Sequence, residues 1–96
     1  MEFKNQKQLF EHIWETRPHV SEISGKPLLS GNHYQFMWQF AHILSKQAYP
    51  EYKLLEENIM LMLPDEHAKQ ESFEIFQDRK QELKEKYYSE RQIKKL

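Results

Sequence analysis

The chain has 96 residues, a formal charge of −1, 39% apolar residues and no cysteine. That length allows one domain, whose folding removes only about 60–65% of the unfolded surface from water, and the missing thiols exclude a disulfide framework and a Cys-bound metal. The balance of 14 basic against 15 acidic residues excludes a broad cationic surface that tracks DNA through its phosphates, so any basic contact must be local.

In chain order, MEFKNQKQLF lacks the apolar centre of a signal peptide. No stretch approaches the ~20 apolar residues of a membrane span, which leads to the expectation of a soluble, cytoplasmic protein. Over 5–16, Leu9, Phe10, Ile13 and Trp14 fall on one stripe and predict an amphipathic helix, which Pro18 ends by pushing Arg17 away from the α region. Residues 18–29 read as a short hairpin about Ser24-Gly25-Lys26, with Gly25 free to take positive φ and Val20 and Ile23 facing inward. Gly31-Asn32-His33 is a turn. From 34 to 44 the chain alternates, with Phe36, Trp38, Phe40 and His42 on one face of a predicted strand, and Trp14 and Trp38 as core anchors.

The connection 45–58 is long enough to suggest a functional loop. IMLML at 59–63 is a continuous apolar run of strand length. Pro64, Asp65 and Glu66 suit the start of a helix that carries His67 in its first turn. A further helix over about 72–93, with Phe73, Phe76, Leu83 and Tyr87 on its apolar side, should cover the hairpin or pack on the first helix. Its closing run RKQELKEKYYSERQIKKL interleaves Glu with the cations, which marks a solvated face, and its apolar positions are too few for a coiled-coil seam. The pattern is that of a single α+β domain.

Three residues stand out in this frame: His42 in AHILSK, Asn58 in ENIMLML and His67 in PDEH. Sixteen positions separate His42 from Asn58, and nine separate Asn58 from His67. This triplet, with HILSK running into AYPEYKLLEENI, resembles the HNH endonucleases, whose bacterial and phage members often read His-Ile-Leu-x-Lys-Gly followed by Tyr-Pro. The likeness covers about 21–71. It implies a ββα-metal core over about 18–72, flanked by the helices at 5–16 and 72–93. Ser21, Ser24, Leu63 and Glu66 stand where many members carry four zinc-binding cysteines, so no structural zinc is expected.

The resemblance implies a metal-dependent DNA endonuclease that hydrolyses phosphodiester bonds in a bacterial or phage-infected cell. His42 would be the general base and Asn58 the brace of its loop, while His67 would bind a divalent cation, most plausibly Mg²⁺ or Mn²⁺ with Zn²⁺ as an alternative. Ala41 occupies the position that often supplies a second ligand, so Glu71, four residues past His67, is the expected replacement on the same helical face. Lys46 and Lys53 are the candidate DNA contacts. The alternative is a catalytically lapsed HNH-like module that binds nucleic acid or a protein. Ala41, the absent thiolates and the near-neutral charge favour the lapsed module; the retained triplet and its loop favour the enzyme.

Overall fold

Asn5 opens the first helix, α1 (Gln6–Thr16), where its side-chain oxygen accepts the Gln8 N–H at 2.9 Å and satisfies one of the donors that a helix start leaves unpaired. Leu9, Phe10 and Ile13 are buried along one stripe, and the helix ends at an extended Arg17 just before Pro18. The computed structural model describes the backbone of residues 3–95 and the side chains of residues 3–88. Beyond α1 lie a two-stranded antiparallel sheet, β1 (Phe40–His42) and β2 (Ile59–Leu61), then α2 (Pro64–Ala68) and α3 (Glu74–Lys95). The class is α+β.

Alternation along the strands explains how the helices are placed. Phe40 pairs with Leu61, Ala41 with Met60 and His42 with Ile59. Phe40, Ile59 and Leu61 turn to one side and pack with Leu9, Phe10 and Ile13 of α1. Ala41, Ile43, Met60 and Met62 turn to the other, where Phe76 and Leu83 of α3 cover them. The hairpin is thus sandwiched between two helices, which is why 59–62 is apolar without alternation: β2 has no solvent face. The carboxyl-terminal helix takes the first of its two expected places, on the hairpin.

The outer edge of β2 is closed by side chains rather than by a third strand. The Glu22 N–H donates to the Leu61 carbonyl at 2.8 Å and its carboxylate accepts the Leu61 N–H at 2.7 Å. Arg17 donates to the carbonyls of Ile59 and Glu56 at 2.7 and 2.8 Å and to Glu22 at 3.0 Å. Every polar group that this edge would otherwise expose is thereby engaged.

Two expectations are corrected. The predicted strand 34–44 shrinks to Phe40–His42, and Phe36–Gln39 is a 3-10 turn. The cause is Gln39, fully buried, whose amide accepts the Leu29 N–H at 2.6 Å and donates to the carbonyls of Leu29 and Phe36 at 3.2 Å. That local pairing replaces a ladder and sends Trp38, 56% exposed, and Met37, 47% exposed, outward instead of into the core. In the 18–29 hairpin, Gly25 takes φ 76° as expected. Val20, however, is 40% exposed, because the hairpin is a single bridge long and docks through Ser21 and Glu22 rather than through a face; Ile23 does pack against the α3-side core.

Ser21, Ser24, Leu63 and Glu66 converge. The Ser21 hydroxyl donates to the Glu66 carboxylate at 2.6 Å, the Leu63 N–H reaches the same oxygen at 2.8 Å, and Ser24 bonds it as well. Glu66 is only 6% exposed. Burial pushes its carboxyl upward, but the donors from Ser21, Ser24 and Leu63 and the charge of Lys26 hold it below the ordinary carboxylate range. A hydrogen-bonded carboxylate therefore ties the knuckle at 21–25 to the start of α2.

Candidate active site

The loop between the strands is organised by Asn58. Its side chain is fully buried, accepts the Leu44 N–H at 2.7 Å, and donates to the carbonyls of Leu44 and Tyr52 at 3.0 and 3.2 Å. Its own carbonyl accepts the Ile43 N–H at 2.8 Å. An amide supplies both the acceptor and the two donors that these backbone groups require, so one residue fixes the start and the middle of the loop. The loop in turn presents the Lys53 carbonyl to His42, 3.0 Å from Nε2.

A carbonyl only accepts, so Nε2 of His42 carries the proton and Nδ1 keeps its lone pair. Burial, chiefly, holds this imidazole below its usual pKa of 6.5; the Lys53 carbonyl works in the opposite direction, and the charges of Lys46 and His67 lower it further. His42 is therefore a neutral base at neutral pH, with a fixed tautomer. His67 is held in the complementary sense. Its Nδ1 donates to the Trp38 carbonyl at 2.7 Å, so the lone pair lies on Nε2.

Both rings line one cleft of roughly 330 Å³, together with Met37, Trp38 and Lys46, and Phe10 and Phe40 form its apolar back. The Phe10 ring lies 4.3 Å from that of Phe40 and 6.2 Å from the His42 imidazole, centroid to centroid. Among the described residues, no carboxylate lines the cleft. On a chain with 15 acidic residues, this makes it a place where an anion meets one ammonium and two imidazoles without a facing negative charge.

Of the residues singled out in the sequence, the structure brings His42, His67 and Lys46 together, with Asn58 beneath them. Lys53 enters through its carbonyl; its ammonium is not part of the lining. Glu71 is not brought to His67. The helix α2 stops at Ala68 because the Lys69 N–H turns back to Glu66, and Glu71 falls in the next turn, Gln70–Ser72. Its carboxylate bonds Lys80, at 3.0 Å, and Gln77 of α3, and the Lys80 ammonium foremost holds it below the ordinary range. His33 does not lean into the cleft: its Nδ1 accepts the Gln35 N–H at 3.0 Å and its ring stacks on Tyr34. His12 pairs with Glu56 at 3.3 Å, and His19 stacks on Trp14.

Sequence reasoning missed Trp38. It is a wall of the cleft, and its carbonyl orients His67. The signal was the Gly31-Asn32 turn followed at once by Gln35 and Gln39, polar groups able to close a local turn before any ladder begins.

As a holder of a divalent cation, the cleft offers His67 Nε2, with His42 nearby. No group of three or more His, Cys, Asp or Glu side chains able to hold a metal occurs among the described residues. A single imidazole nitrogen without a carboxylate does not fit an all-protein cage, and it suits a transition ion such as Zn²⁺ better than Mg²⁺, which takes oxygen ligands. No described helix is long and apolar enough to cross a membrane. No family model matches the chain, and no curated protein or solved structure matches it.

Proposed function

We propose that the chain is a metal-assisted phosphodiesterase of the HNH type acting on DNA. The observation that carries this reading is the opposed tethering of the two imidazoles: the carbonyls leave the lone pair of His42 on Nδ1 and that of His67 on Nε2, on the walls of one cleft that no carboxylate of the described residues lines. A water between His42 and a phosphodiester would give its proton to Nδ1 as its oxygen attacks phosphorus, while the P–O bond on the opposite side breaks and the departing sugar oxygen takes a proton from solvent. The imidazolium so formed is stabilised through Nε2–H by the Lys53 carbonyl, in a loop that Asn58 braces one residue earlier at the Tyr52 carbonyl. Lys46 is positioned to meet a non-bridging phosphate oxygen. A divalent cation held by His67 Nε2 would polarise the phosphate and neutralise the leaving oxygen.

Supercoiled plasmid incubated with the protein and Mg²⁺, Mn²⁺ or Zn²⁺ tests this. Nicking that requires one of these ions and is lost in both His42→Ala and His67→Ala supports the reading. A second reading, a lapsed module that binds nucleic acid without cutting it, is favoured by the methyl group of Ala41 and by the capture of Glu71 at Lys80. DNA binding without cleavage under any of the three ions would decide for the second.

A further inference from the structure

We propose that Trp38 is a stacking platform for an unpaired nucleobase, so that the substrate is single-stranded or locally melted DNA; this rests on the nuclease reading above for its location beside the scissile phosphate. Trp38 is 56% exposed, an unusual state for an indole in a domain with so little core to spend. It does not sit at random on the surface. It lines both the histidine cleft and a second hollow of about 510 Å³, whose wall is formed by Leu29, Leu63 and Pro64 with Gln35 and Asp65 as its polar members. Met37 beside it is also exposed, so the rim of the cleft offers apolar surface continuous with its chemistry.

The exposed indole selects the occupant. Duplex and single strands are both held through their phosphates, and Lys46 is the one ammonium among the described residues that line the cleft. Single strands add what a duplex cannot, because each unpaired base can stack on an aromatic ring. Because Lys46, both imidazoles and Trp38 line the same cleft, a strand whose phosphate rests on Lys46 would bring a neighbouring base to the indole. In a paired helix that base is already stacked. The indole therefore discriminates for strands whose bases are free.

The test uses Trp14→Phe protein, whose sole indole is then Trp38, with EDTA present so that cleavage plays no part. Its fluorescence is followed against an oligothymidylate of about 12 nucleotides, within ordinary single-strand site sizes, against an abasic strand of equal length, and against a duplex. The expected result is quenching by the thymidylate alone. Trp38→Ala, which leaves the carbonyl to His67 intact, should weaken thymidylate binding about ten-fold or more, with Trp38→Phe restoring most of it and thermal melting unchanged in both. Equal binding of the abasic strand, or equal binding by Trp38→Ala, overturns the platform. Because no metal is present, quenching by a protein that never nicks plasmid upholds the platform and sinks only the nuclease reading. Duplex cleavage indifferent to Trp38→Ala does the reverse.

Discussion

Hydrogen bonds to carbonyls dictate tautomers, and at the residue scale this gives His42 and His67 different work. His42 has its lone pair on Nδ1 and a pKa lowered chiefly by burial, so it remains an acceptor of protons into mildly acidic solution. The sign follows from the proposed reading: if neutral His42 is the base, kcat/KM for phosphodiester cleavage should rise with pH and level off. The acid limb should lie below pH 6.5, the ordinary value. A limb at or above 6.5 would mean that another group is titrating. Asn58 is the structural counterpart. Asn58→Ala strips the Leu44 N–H and the Leu44 carbonyl of their side-chain partner, while the Tyr52 carbonyl keeps the Leu55 N–H, and should cost about 1–3 kcal/mol in chemical denaturation while lowering cleavage more than the lost stability explains. That Asn58 braces the loop after His42 is visible in its hydrogen bonds to Leu44 and Tyr52, while the catalytic role of His42 is part of the proposed reading. Glu71 was misassigned because a spacing of four positions implies a shared face only while the helix continues, and α2 ends at Ala68.

At the scale of elements, the knuckle at 21–25 and α2 are joined through Glu66 and Ser21. Glu66→Ala removes the acceptor of Ser21 and Leu63 and should destabilise the protein by about 2–3 kcal/mol. In the wild type the carboxyl has a folded pKa below its unfolded one, so its contribution is present above pH 4.5 and is lost as pH falls through the lower folded value. Melting followed between neutral and acid pH should show that loss in the wild type and not in Glu66→Ala. The sequence pointed to these four positions as partners in space but not to their hydrogen bonding, which depends on a buried carboxylate finding hydroxyls. The failure at 34–44 has a similar origin. Alternating aromatic residues satisfy a strand pattern, yet a single buried amide, Gln39, was enough to fold 36–39 into a turn.

For the whole molecule, two helices clasp a six-residue sheet, and the unbroken apolar run at 59–62 foreshadowed a strand buried on both sides. Which helix takes which face was not readable, because α1 and α3 both present an apolar stripe of suitable size. The near-neutral charge has a consequence at this scale as well. With one ammonium in the cleft, the slope of log affinity for single-stranded DNA against log salt should be shallow, about −1 to −2. A slope several times steeper would mean that a cationic track elsewhere carries the binding. The central claim is that His42 is the base at a phosphodiester, and chemical rescue addresses it most directly. Cleavage of DNA by His42→Ala should fall about 100-fold or more and recover in part when free imidazole is added. Cleavage that survives the substitution undiminished would contradict the account.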